Sequence, residues 1–283
     1  MEIWYRLVEL VMPFDWAKAD HMYFMKNALL AIILVSFIFG ILATMIVNNR
    51  LAFFSDALGH GAFTGVVIGG MLGFVRPIWS AIVFSIIFSL GITLVKNKSK
   101  ISSDTVIGVF SAVAVALGIF ISTLGGQSFT KLNIFLVGDI LSITPSEIGL
   151  LFFVLALVVI LWWLLFNKLL VVSVNQSLAA SRGIKTFWVE VIFTTTIAVI
   201  VTISMSWIGL LVINSLLILP AAAARNITSN VRQYHLVTIL ISMISGVSGL
   251  ILSYYIETAT GATIVLISSI FFFITFALRG KTS

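Results

Sequence analysis

The sequence predicts an all-α polytopic membrane protein with about eight or nine transmembrane helices and one short half-span. Three observations carry this. Of the 283 residues, 60% are hydrophobic and only 9% are charged, against about 45–50% and about 25% in an average soluble domain. The apolar residues gather in runs of about 20, the length a helix needs to cross the hydrocarbon core. Most basic residues fall in short gaps between the runs, where topology signals lie. That placement also argues against a nucleic-acid binder, although the formal charge is +6. A soluble enzyme and a disordered chain are excluded by the same composition. The absence of cysteine removes disulfides and thiolate metal sites. Acids at Glu2, Glu9, Asp15 and Asp20 argue against a cleavable leader.

Residues 1–23 read as an amphipathic arm. Ile3, Trp4, Leu7, Val8, Leu10 and Val11 share one broad face, with Glu2, Arg6 and Glu9 off it. Such a helix lies on the bilayer surface or packs against the bundle. Residues 24–279 form a single transmembrane domain, and 280–283 a short tail. The spans expected are Phe24–Val47, Leu51–Leu72, Ile78–Val95, Asp104–Leu124, Glu147–Phe166, Phe187–Ser206, Trp207–Ala223, Tyr234–Tyr255 and Ala262–Leu278. Leu132–Ile143 is too short to cross and reads as the half-span. With Lys96, Lys98 and Lys100 placed in the cytoplasm, alternation puts eleven of the 16 basic residues inside and five outside, as the positive-inside rule requires. The N-terminus is then outside and the C-terminus cytoplasmic.

The second span carries the chemistry. Ala57, Gly61, Gly65, Gly69 and Gly73 recur every four residues, a small-residue ladder that lets helix backbones approach closely. Asp56 and His60 also stand four apart and share a helix face. Ionisable residues within spans normally face a cavity or a partner. This pair can ligate one divalent cation such as Zn²⁺ or Mn²⁺, or form a structural hydrogen bond. Two ligands are too few for a closed structural zinc site, but an ion in transit must also leave. Thr64 continues the stripe. Asp139 in the half-span and Asn214 in the seventh span are further candidates for the ion's path, with a loop carboxylate and an interhelical hydrogen bond as their alternatives. Asp104 and Glu190 sit near helix N-termini, where a carboxylate meets the dipole favourably. His21 and His235 lie at span edges and are expected in solvent.

These residues resemble a known family. Phe54-Ser-Asp56-Ala-Leu-Gly-His60 and the following glycines resemble the second-helix signature of ABC-importer permeases for zinc and manganese. Asp104-Thr-Val-Ile-Gly108 resembles that family's Asp-Thr-x-x-Gly. The stretches from Phe135 to Pro145 and from Ile208 to Ala224, the latter with Pro220-Ala-Ala-Ala-Ala224, resemble two later motifs in the same order. Val174 to Ile184 is similar to the family's cytoplasmic coupling segment, about 174–185, with Asn175, Gln176, Ser177, Leu178, Ala179 and Gly183 as its expected contacts. Asn175-Gln176-Ser177 stands where acids are usual, so the docking contact is expected to be less electrostatic.

The resemblance implies a type II ABC importer permease fold in a bacterial plasma membrane. It implies a homodimer on two copies of a cytoplasmic ABC ATPase, fed by an extracytoplasmic metal-binding solute-binding protein. No cofactor is expected to stay bound, and the transported Zn²⁺, or Mn²⁺ or Fe²⁺, is substrate. ATP belongs to the partner: Gly183-Ile-Lys-Thr186 matches only the tail of a P-loop. The chain is therefore not itself expected to be an enzyme. Thr64, where many manganese-type members have proline, and Asp139, found in several zinc types, both lean towards zinc. An ion-gradient-driven transporter is the rival from another class, but it would often show internal repeats, and none is visible. A membrane-embedded enzyme lacks any nucleophile or phosphate cluster here.

Overall fold

The computed structural model describes residues 1–19, 22–74, 77–99, 101–124 and 138–279. Among these, every regular element is helical. Two short helices, α1 (Glu2–Val11) and α2 (Asp15–Lys18), precede α3 (Tyr23–Asn48), α4 (Phe54–Met71), α5 (Ile78–Lys98) and α6 (Ser103–Leu124). A 3-10 turn (Ile140–Ser142) then leads to α7 (Pro145–Val174), α8 (Gln176–Ser181), α9 (Thr186–Ile208), α10 (Leu210–Ile227), α11 (Val231–Ile256) and α12 (Thr260–Leu278). Residues 132–137 of the expected half-span, His21 and the 280–283 tail lie outside the described residues. The half-span's described remainder is a turn rather than a continuing helix.

Eight of the described helices are long and apolar enough to cross a membrane. α4, the second expected span, is the one of the nine left over, and it does form, over 18 residues. It stays outside that group of eight because Asp56, His60 and its glycines dilute its hydropathy.

Local chemistry sets the ends. Thr144 and Glu147 form a reciprocal capping box at the start of α7, with Pro145 at the first helical position. α7 then runs past the expected Phe166 to Val174 and delivers the chain directly to α8. The expected boundary between Ser206 and Trp207 moves to Gly209. Its φ of 81° is one that L side chains rarely adopt, so α9 stops there and α10 starts anew.

α3 is the centre of the bundle. Of its most apolar window, 83% is buried, and it packs on α11, α10 and α7. Small residues make this possible: Ser242 Oγ donates to Ser36 O at 2.7 Å across the α3–α11 contact. α4, α5 and α6 pack as a second group, joined to the first chiefly through α9 and α10. The outward faces of α6, α7 and α12 expose Phe120, Phe153, Trp163, Leu266 and Phe273, the surface that lipid chains solvate.

The arm packs against the bundle. Its inner side is tied to the first turn of α3: Trp4 Nε1 donates to Lys26 O at 2.9 Å, and Tyr5 OH to Asn27 Oδ1 at 2.8 Å. Lys26, fully buried, pairs with Glu9 at 2.6 Å. Its outer side exposes Ile3, Leu7, Leu10 and Val11. His235 departs from expectation. It is half-buried, stacked on Trp162 at 4.8 Å, with Nδ1 3.0 Å from Thr44 Oγ1.

The two ends of the bundle differ. One gathers Asn48, Asn49, Arg50, Lys96, Val174, Gln176 and Glu190 around a cavity of about 270 Å³. The other gathers Asp139, Ile208, Thr258 and Gly261 around one of about 190 Å³.

Candidate functional site

α4 is placed by its glycines. A Cβ at Gly61 would stand 2.9 Å from the Phe88 ring, one at Gly65 2.6 Å from Ala81 Cα, and one at Gly69 2.7 Å from Ser80 Cβ. The ladder therefore packs α4 on α5 within one chain. Ser80 Oγ adds a bond to Gly65 O at 2.5 Å. Gly73 is not a rung: it lies beyond the helix end, at φ 75°, with no described atom within 4 Å of where its Cβ would stand, and serves the turn. Gly65 meets backbone, which cannot swing aside. Gly65→Leu is expected to destabilise the chain by about 3 kcal/mol or more, above the usual overpacking range. Gly73→Ala is expected to cost only about 1 kcal/mol from its backbone conformation. Thermal melting of the two variants in detergent checks that order.

With the glycines on α5, another face of α4 is left half-buried: Asp56, His60, Phe63 and Val66. Asp56 Oδ2 stands 3.7 Å from His60 Nε2, with side-chain exposures of 47% and 31%. That separation is too long for a hydrogen bond. It suits an intervening ion, because two metal–ligand bonds of about 2.0–2.2 Å span it at an obtuse angle. Among the described residues no third His, Cys, Asp or Glu joins them.

Asn214, one turn into α10, does reach the pair. Its Nδ2 donates to Asp56 Oδ1 at 2.9 Å. One turn away along the same crossing, Leu210 fills the space a side chain at Gly59 would occupy. The half-buried stripe thus continues from α4 onto α10 through Asn214, Ile218 and Ala222 to exposed Arg225.

Thr64 and Asp139 sit elsewhere. Thr64 is fully buried and donates to Ala114 O of α6 at 2.6 Å. It fastens α4 to α6, and Phe63, not Thr64, continues the Asp56–His60 stripe. Asp139 is exposed at the far end, where its Oδ1 accepts from Leu141 N at 3.2 Å and caps the 3-10 turn.

The segment 174–185 folds as a self-contained knuckle. Asn175 caps α8 by accepting from Ser177 N and Leu178 N, at 2.8 and 3.1 Å. Gly183, at φ 73°, ends it with the paired bonds Ile184 N to Ala179 O and Gly183 N to Ala180 O, a Schellman closure. Ala179 is buried, while Gln176, Ser177 and Leu178 are exposed. Asn175 and Gly183 thus shape the segment, leaving Gln176, Ser177 and Leu178 as its outward surface.

The model of the ABC 3 transport family matches residues 21–279. The chain belongs to that family. This ABC 3 family member resembles the high-affinity zinc uptake system membrane protein ZnuB of Haemophilus influenzae, with 30% identity over 90% of this chain and 97% of the relative. It also resembles the manganese transport system membrane protein MntC of Listeria innocua, 28% identical over 91% of each chain. Among solved structures it matches PsaBC from Streptococcus pneumoniae in complex with Fab, at a TM-score of 0.76 and 27% identity, over 96% of this chain and 94% of that one. The all-α permease fold follows from that match, and membership places the chain among ABC transport membrane subunits rather than enzymes or gradient-driven carriers.

Sequence reasoning did not find the Gly59–Leu210 notch, because Gly59 lies off the four-residue ladder. Nor did it pair Glu190, which is 8% exposed and binds Lys96 and, at 2.9 Å, Asn97 Nδ2. Lys96 lies in the triple-lysine gap, so the available signal was a basic cluster facing a carboxylate at the same expected end.

Proposed function

We propose that this chain is the permease subunit of an ABC importer for a divalent metal ion, with zinc favoured. The observation that carries the reading is the Asp56–His60 pair, held 3.7 Å apart on a helix face that the rest of the described chain leaves half-buried. A polar pair cannot face lipid without partners. A lumen between two copies of the chain supplies the missing surroundings, and two such pairs supply four ligands. Relatives named for zinc and for manganese both occur; Mn²⁺ or Fe²⁺ as cargo is the second reading, through the same site.

In this reading a solute-binding protein releases the ion at the Asp139 end, taken as the outer face, with the N-terminus outside and the C-terminus in the cytoplasm. The ion passes the Asp56–His60 pair. The ATPase docks on α8 at the opposite end, and its closure biases the bundle between two openings, because ATP and ion each favour a different one. Leu178 is 43% exposed there. Leu178→Asp is expected to abolish copurification of the ATPase while the permease alone still purifies as wild type. The overall test is uptake into proteoliposomes holding permease and ATPase, with the binding protein outside. ATP-dependent Zn²⁺ accumulation is expected. No ATP-dependent uptake of Zn²⁺, Mn²⁺ or Fe²⁺ would overturn the proposal.

A further inference from the structure

We infer that Asn214 is a specificity-determining residue for the transported ion, acting through Asp56 rather than as a ligand. The inference rests on the reading that Asp56 and His60 meet the metal.

Three features of the geometry carry it. First, the Asn214 amide holds Asp56 Oδ1 at 2.9 Å, while Oδ2 is the oxygen turned to His60 at 3.7 Å. The carboxylate therefore has one oxygen engaged and one offered. Second, the amide has only one sensible orientation. Turned over, it would set its carbonyl oxygen against a carboxylate. In the orientation present, Asn214 Oδ1 is buried with no hydrogen-bond partner among the described residues, which costs stability. Third, the contact is rigidly placed. Leu210 sits in the Gly59 notch one turn away, and Gly209 fixes where α10 begins. Asn214 cannot drift from Asp56 unless the α4–α10 crossing opens.

The chemical consequence is selective. Mn²⁺ takes octahedral sets of oxygen ligands from carboxylate, carbonyl and water, whereas Zn²⁺ accepts four ligands with imidazole among them. A free carboxylate can give a metal both oxygens. Asp56, with one lone pair of Oδ1 engaged by Asn214, offers Oδ2 as its better donor. Asn214 thus weakens and orients away an oxygen that Mn²⁺ would use and leaves the tetrahedral set for Zn²⁺ intact. Its amide is neutral, so it orients the carboxylate without neutralising it. Partners that orient a metal ligand commonly affect metal binding by about 10–100-fold.

The test is competitive uptake of radioactive Zn²⁺ and Mn²⁺ from one mixture, by the complex of permease, ATPase and binding protein in proteoliposomes. Wild type is compared with Asn214→Ala and with Asn214→Asp, which keeps the shape and loses the donor. The ratio is taken within each preparation, so it is independent of how much protein folds, and the unchanged binding protein contributes equally to every arm. Both variants are expected to shift the ratio towards Mn²⁺, by about tenfold. A ratio equal to wild type in both overturns the inference. Asp56→Ala and His60→Ala run alongside: if they transport as wild type, the site itself is wrong, whereas if they fail and the Asn214 ratio stays fixed, only the role of Asn214 is wrong.

Discussion

His60→Ala and Asp56→Ala are each expected to reduce metal uptake by at least about tenfold, the lower end of what disturbing a metal site costs. The side chains are partly exposed and Asp56 makes one interhelical bond, at 2.9 Å to Asn214. Neither substitution opens a packed cavity, because α4 is held by its glycines and Thr64. The variants should therefore insert, copurify with the ATPase and hydrolyse ATP, while metal accumulation falls. The two need not be equal. Loss of Asp56 also strands the Asn214 donor, so Asp56→Ala should melt lower than His60→Ala, by about 1–3 kcal/mol. Wild-type uptake by either variant at normal expression would sink the role of the pair.

Breaking the Lys96–Glu190 pair should have the largest effect on folding. The two side chains are 15% and 10% exposed, and Asn97 Nδ2 completes the carboxylate's partners at 2.9 Å. Removing one member leaves an uncompensated buried charge, which costs about 3–5 kcal/mol. Glu190→Ala is expected to lie in that range and Lys96→Met nearby, each as a lowered melting temperature of the purified chain. The double variant should recover much of the loss, because neither charge then remains. An additive double variant would show that the pair has no coupling. The pair and Asn97 form one end of a row of polar links between α5 and α9. Thr93 meets Thr194 at 3.0 Å, and Thr202 donates to Ser85 at 2.8 Å. α9 follows directly from the α8 knuckle and α5 carries the glycine ladder's partners, so these links join the proposed docking surface to the helix that bears Asp56.

The membrane character, the spans and the Asp56–His60 pair were legible in the sequence because each depends on local chemistry. Apolar runs report the spans, and a four-residue spacing reports a shared helix face. What the spacing could not report is what the adjoining faces meet. Thr64 follows His60 at the same spacing, yet its hydroxyl has a carbonyl of α6 to satisfy. Gly73 follows Gly69 at the same spacing, yet the helix has ended. His235 lies near a helix start and looks solvated until Trp162, seventy-odd residues away, covers its ring. Asn214 and Asp56 are 158 residues apart, and nothing local announces that they touch.

The central position of α3 has a consequence for how the protein is made. α3 leaves the ribosome well before α10 and α11, two of the helices that bury it. At about 5–20 residues per second, the wait between Asn48 and Ile256 is about 10–40 s. During that time α3 lacks its contacts with α10 and α11, and a mean hydropathy of 2.9 suits the uncovered faces to lipid. Its fully buried cation, Lys26, would be the weak point of such an intermediate. Yet its counter-ion, Glu9, lies 17 residues upstream and has already been synthesised. The arm that covers the first turn of α3 in the finished molecule is thus a partner already made when α3 emerges.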